Sequence, residues 1–246
     1  MLAEYLKIIR VSTKFVPRLL TEDQKNNHLN VCYDLREKVG NDPQILFKVV
    51  TGDETWCYGY NPKTKQALSQ RKTPNSLKAK KVRQVSSNVK IMLISFFDAN
   101  GIAHKEFVPP GQTVNQQFYL KVLQRLHNSI RKKRPEMWSS SDWFLHHDNA
   151  PTHMALSVQQ FLVKNKITVI PHPPYSPNLA PRYFFLFPCM KDQVKGNCFA
   201  DVSKVKKKML EFLNNIKSEE FQKCFQQWEK CWYKCIESKG KYFEGD

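Results

Sequence analysis

The sequence predicts an α/β protein built on one mixed sheet with helices on its faces. Three observations carry that reading. An apolar run from Ile45 to Thr51 is followed by two more, Val89 to Phe97 and Ile102 to Val108. The last two are joined by Asp98-Ala99-Asn100-Gly101, and Asn-Gly between apolar runs signals a hairpin. Helical and strand patterns then alternate to about residue 170, as in parallel strands joined by crossover helices. With 246 residues, 41% of them apolar, the chain suffices for one domain with a sizeable core.

The elements follow in order. Residues 1–20 are basic, and Pro17 discourages a helix through them. Thr21-Glu22-Asp23-Gln24 has the form of a capping box, so a helix is expected over 21–39. The first strand is expected at Ile45–Thr51, with Asp53 just past its tip. Residues 58–88 form a polar, basic stretch. The hairpin comes next, then a helix over Gln116–Lys133 that ends in cationic residues. A strand over Trp143–His146 leads to Asp148, and a helix is expected over Pro151–Lys164. A short β-branched strand covers Ile167–Ile170. Pro171-His172-Pro173-Pro174 lacks too many N–H donors for regular structure. Helices are expected at Tyr183–Val194, 202–216 and 219–237.

Lys and Arg number 39 against 22 Asp and Glu, a net charge of +17. That balance favours a polyanionic partner, nucleic acid before membrane. No apolar run approaches the roughly 18 residues of a membrane span, and the N-terminus has no signal-peptide pattern. The seven cysteines include no CxxC pair, which fits reduced thiols. Cys224, Cys231 and Cys235 share one helix face, but no His follows at zinc-ligand spacing.

Asp53 and Asp148 each follow an apolar run. Carboxylates in such places suit a hard divalent cation such as Mg²⁺. Two-metal phosphodiester chemistry needs ions about 3.5–4 Å apart, with a carboxylate shared and one private to each. Asp53 and Asp148 supply two of three. The basic stretch holds Lys63, Lys65, Arg71, Lys72, Lys78, Lys80, Lys81 and Arg83, placed to meet a phosphate backbone.

Three segments in order sharpen this reading: Gly52-Asp53-Glu54-Thr55-Trp56, His146-His147-Asp148-Asn149-Ala150-Pro151 and Pro173-Pro174-Tyr175-Ser176-Pro177-Asn178-Leu179-Ala180-Pro181. Together they resemble the catalytic domain of mariner-family transposases, in the Tc1/mariner superfamily. Phe15-Val16-Pro17-Arg18-Leu19-Leu20 is similar to the family's linker motif, and Tyr242-Phe243-Glu244-Gly245-Asp246 to its C-terminus. The resemblance implies a ribonuclease-H-like fold. It implies a nuclear DNA transposase core that cuts and joins phosphodiester bonds at transposon ends, using Mg²⁺ or Mn²⁺. The implied partners are terminal inverted repeats and a second copy of the chain. Residues 1–40 become a linker and dimerisation segment and 41–246 the catalytic domain, with 58–88 a clamp-like loop. The family's paired helix-turn-helix region has no counterpart in the sequence.

The resemblance maps Asp53 and Asp148 to the first two catalytic aspartates. The third falls on Tyr183, with Leu179-Ala180-Pro181 and Phe185-Leu186-Phe187-Pro188 fixing the alignment on either side. A phenol is neutral near pH 7, with an ordinary pKa of about 10, and cannot act as a hard anionic ligand. Arg182 adds a positive charge. Weakened metal binding and lost cleavage are therefore expected, with Tyr183→Asp restoring nicking. Asn178 also replaces a family aspartate, in a structural position. Two alternatives stand beside this reading: a host-adopted DNA-binding and dimerisation module without catalysis, and a nuclease recruiting Asp142, Asp192 or Asp201 as third ligand. Glu54 should point away from Asp53, His146 and His147 should be structural, and Trp56, Trp143, Phe184 and Phe185 should be core.

Overall fold

The computed structural model describes residues 16–60, 87–195 and 197–243. Helix α1 (Glu22–Asn41) begins as its capping box dictates. The Thr21 side chain accepts the N–H of Gln24, and the Gln24 side chain accepts that of Thr21. The front of the expected first strand is instead a 3₁₀ stretch, Pro43–Lys48. Proline favours the first helical position, and the Asp42 side chain caps Gln44 N–H, so the chain turns before it extends. Strand β1 is Val49–Tyr58. It runs on through polar residues because β2 (Lys90–Asp98) pairs with it antiparallel from Thr51↔Phe97 to Tyr58↔Lys90. Asp53 therefore lies inside a strand, not at its tip.

Strand β3 (Gly101–Phe107) returns from the Asn100-Gly101 turn, where Gly101 takes φ of 125°. Asn115 caps helix α2 (Gln116–Lys133), and an unanticipated short helix α3 (Pro135–Ser140) follows. Strand β4 (Phe144–His146) lies parallel to β1, paired only at Val49, Val50 and Thr51. Helix α4 (Leu156–Lys164) starts later than expected, after a turn over 151–153. Strand β5 (Thr168–Val169) closes the sheet, whose order is β3-β2-β1-β4-β5.

A 3₁₀ turn (Pro177–Leu179) leads to a π-turn (Arg182–Leu186), which runs into helix α5 (Phe187–Val194). Helices α6 (Val202–Asn215) and α7 (Ser218–Glu237) complete the chain. The strand period of two sends alternate side chains to opposite faces. Val49, Cys57, Ile91, Leu93 and Phe97 enter a core shared with α1, α5, α6 and α7. Val50, Ile94, Phe96 and Leu145 enter a second core beneath α2, α3 and α4. Helices thus cover both faces, as expected. Trp143 belongs to the second core, and Phe184 and Phe185 pack half-buried against the first. Trp56 is 40% exposed; its ring carries the Lys90 ammonium 4.4 Å from its centre.

Candidate active site

The parallel register brings the two aspartates together. Thr51 pairs with His146, the last residue of β4. Two residues further along each chain stand Asp53 and Asp148. Neighbouring strands lie about 4.8 Å apart, so extending this register sets the carboxylates side by side. Gly52 permits the close fit behind them. A Cβ there would lie 2.2 Å from Phe96 Cδ1 and 2.5 Å from the Ser95 carbonyl oxygen.

Asp53 is 5% exposed, and both of its oxygens are engaged. Oδ1 accepts the Glu54 backbone N–H at 2.7 Å. Oδ2 accepts Nε–H of Arg182 at 3.0 Å and the hydroxyl of Tyr183 at 2.8 Å. Arg182 is wholly buried. Its Nη1 lies 3.5 Å from both Thr51 Oγ1 and the His146 carbonyl oxygen, while its buried Nη2 has no hydrogen-bond partner. Burial raises the Asp53 carboxyl to about 7, against the pull of the Arg182 guanidinium. Burial, then the charge and hydrogen bond of Asp53, also raise the Tyr183 phenol, which stays neutral.

Asp148 has a different neighbour. His153 Nδ1 lies 2.7 Å from Asp148 Oδ1 as a close ion-pair contact, and its Nε2 lies 3.5 Å from Glu54 Oε1. The Ala150 N–H adds a 3.0 Å bond to Oδ1. Burial opposes charge here, but the His153 hydrogen bond and charge outweigh it and hold Asp148 below the usual carboxylate range. The same exchange, against burial, lifts His153 to about 9. Tyr119 stacks on the His153 ring at 3.9 Å, and its hydroxyl meets His147 Nδ1 at 2.9 Å. Burial, then the charge of His153, drive His147 down to about 3.

A chain of hydrogen bonds supports the floor. It runs from Thr51 Oγ1 to His146 Nδ1 at 3.0 Å, from His146 Nε2 to His172 Nδ1 at 3.2 Å, and from His172 Nε2 to Ser176 Oγ at 3.3 Å. Burial, then Arg182, push His172 down to about 3. The proline-rich segment is pinned from outside. His28 Nε2 meets the Pro174 carbonyl oxygen at 2.9 Å, and Trp228 donates to that of Leu179 at 2.8 Å. Asn178 donates to the Phe243 carbonyl at 2.8 Å, a bond an aspartate could not make. Pro17, Asp148, Tyr175 and Tyr183 line an open cavity of about 420 Å³.

The structure places Asp53, Asp148 and Tyr183 at one site. Lys63, Lys65, Arg71, Lys72, Lys78, Lys80, Lys81 and Arg83 lie outside the described residues. Asp142 pairs with Lys48, Asp192 with Lys195, and Asp201 caps α6. Glu54 was expected to point away from Asp53, but its side chain stays at the site: its charge and hydrogen bonding help raise the Asp53 carboxyl, and its Oε1 lies 3.5 Å from Nε2 of His153, the ring whose Nδ1 faces Asp148. His146 is a buried member of the hydrogen-bonded floor, and His147 is buried against Tyr119. Sequence reasoning missed His153, whose signal was its place in the Asp148-to-His153 turn. It also missed Arg182 as a direct partner of Asp53, which only the π-turn reveals. Such turns recur at functional sites. As arranged, the donors do not match two hard cations. Asp53 is held by the Arg182 guanidinium, Asp148 and Glu54 both face the His153 ring, and among the described residues no group of three His, Cys, Asp or Glu side chains is arranged to hold a metal ion.

The sheet and its paired carboxylates define the catalytic domain of a DDE-type transposase, and the fold is ribonuclease-H-like. Residues 60–140 match the family model described as "Transposase (partial DDE domain)". The Mariner Mos1 transposase of Drosophila mauritiana is 32% identical over 244 residues, covering 99% of this chain and 69% of that one. The histone-lysine N-methyltransferase SETMAR of Homo sapiens is 28% identical over 232 residues, covering 94% and 33%. Among solved structures, a pre-cleavage Mos1 transpososome superposes with a TM-score of 0.89 at 31% identity, over 98% of this chain and 70% of that one. The catalytic domain of Mos1 mariner transposase does so with 0.77 at 30% identity, over 94% and 100%. The chain belongs to the mariner family of transposases.

Proposed function

We propose that this chain binds transposon-end DNA as a transposase catalytic core and that its cleavage of phosphodiester bonds is impaired. Solved Mos1 structures include a paired-end complex with the left transposon end and complexes with Mn and with Mg. The family chemistry is therefore divalent-metal-dependent hydrolysis and strand transfer, for which Asp53 and Asp148 would be this chain's ligands to Mg²⁺ or Mn²⁺. One observation carries the impairment. The hydroxyl of Tyr183, at the position of the third aspartate, donates to Asp53 Oδ2, so a neutral donor stands where a third anionic ligand is needed. Metal binding is correspondingly weakened.

The net charge of +17 supports phosphate contact, for which residues 63–83 of the clamp-like loop supply the cations. Residues 1–40 serve as linker and dimerisation segment in a nuclear homodimer. A second reading is a host-adopted DNA-binding module without catalysis. It is favoured by SETMAR, a protein named for another activity, in which the matching stretch is 33% of the chain. The test is a repeat-end duplex incubated with the native chain and Mg²⁺. A specific mobility shift without strand cleavage is expected. Cleavage at rates typical of active transposases, or a shift indifferent to sequence, overturns the reading.

A further inference from the structure

The two carboxylates do not wait for outside charge. His153 Nδ1 lies 2.7 Å from Asp148 Oδ1. Asp53 is neutralised by Arg182, which is completely buried and has no other anion among its hydrogen-bond partners. A guanidinium without solvent is costly unless paired, so Arg182 and Asp53 hold each other in place. Tyr183 closes the remaining approach to the same oxygen, and the Glu54 N–H occupies the other.

We propose that Arg182 is a resident cation, a protein-borne positive charge held on Asp53 in place of a divalent metal. The proposal rests on the reading of Asp53 and Asp148 as the catalytic carboxylates. It goes beyond the loss of the third ligand, because it assigns the block to Arg182 as well as to Tyr183. A guanidinium on Oδ2 repels a second cation and fills its approach. It also makes the folded site independent of metal. Tyr183→Asp alone then gives a third carboxylate that Arg182 can neutralise. Only Tyr183→Asp with Arg182→Gln frees three carboxylates for an ion.

The experiment is Mn²⁺ titration followed by electron paramagnetic resonance, with melting curves in chelator and in Mn²⁺. The native chain, Asp53→Asn, Tyr183→Asp, Arg182→Gln and the double variant are compared. The native chain is expected to bind no Mn²⁺ that Asp53→Asn abolishes, and its melting temperature to be equal in chelator and in Mn²⁺. Tyr183→Asp is expected to behave the same way. The double variant should take up one or more Mn²⁺ and melt several degrees higher with metal than without. Native binding that disappears in Asp53→Asn overturns the proposal, and needs no Arg182 variant to fold. So does equal Mn²⁺ affinity in Tyr183→Asp and the double variant, or a folded double variant that binds none. Failure here is distinct from failure of the functional reading. A native chain that binds Mn²⁺ at Asp53 without cutting DNA sinks only the resident cation. One that binds neither Mn²⁺ nor repeat ends sinks only the DNA function.

Discussion

The two halves of the site solve one problem differently. Asp148 is 32% exposed and takes its counter-charge from His153, within the same turn of chain. Asp53 is 5% exposed and takes its counter-charge from Arg182, far away in sequence. The first pair is local and wet enough for an ionised carboxylate. The second is dry, and its ionisation depends on a distant segment arriving with its guanidinium. The comparison teaches that the carboxylate pair is symmetric in register but not in energetics.

The largest expected break in that comparison comes from Arg182→Met. Removing one partner of a buried ion pair costs about 3–5 kcal/mol. Asp53 already titrates near 7, raised by burial. Removing Arg182 leaves that carboxyl free to take up a proton. The loss should therefore be greater at about pH 8 than at about pH 5.5, as read by urea denaturation.

His153→Gln comes next. The imidazolium is raised to about 9, from an ordinary value of about 6.5. Such a group stabilises fully below its unfolded pKa and loses the effect as pH climbs through the folded one. The stability of the native chain should fall between about pH 6.5 and about pH 9, with a His153 share of at most about 3 kcal/mol. The variant should lose that slope, and Asp148 should then titrate closer to the usual carboxylate range by NMR.

Gly52→Ala tests the backing both halves share. The added methyl meets the Phe96 ring and the Ser95 carbonyl at 2.2 and 2.5 Å. Overpacking of this kind costs about 1–3 kcal/mol, measurable by thermal melting. Tyr183→Phe is the mildest. It removes one hydrogen bond to Asp53 from a side chain 39% exposed, for a loss of about 1 kcal/mol by urea denaturation. A loss as large as that of Arg182→Met would erase the distinction between the closing phenol and the buried cation.

Much of the fold was legible because its signals are local. The Thr21–Gln24 capping box, the Asn100-Gly101 turn and the amphipathic patterns of α2, α6 and α7 act within a few residues. The start of β1 was misjudged because Ile45-Leu46-Phe47 is apolar either way, while Pro43 and the Asp42 cap decide for a 3₁₀ turn. Its far end was missed because pairing with β2 supplies what polar residues lack in strand propensity. That Asp53 and Tyr183 meet was legible through the motifs that carry them. The Asp53–Arg182 contact was not, since it joins β1 to a π-turn that no spacing rule announces. Trp56 shows the converse, an aromatic that lies under Lys90 at the surface instead of joining a core.

The most direct measurement of the central claim is a crystal structure of the native chain grown with Mn²⁺, with anomalous scattering recorded at the manganese edge. The resident-cation account predicts Arg182 Nε on Asp53 Oδ2 and no anomalous peak between Asp53 and Asp148. A peak coordinated by both carboxylates, with the Arg182 guanidinium swung away, would contradict it.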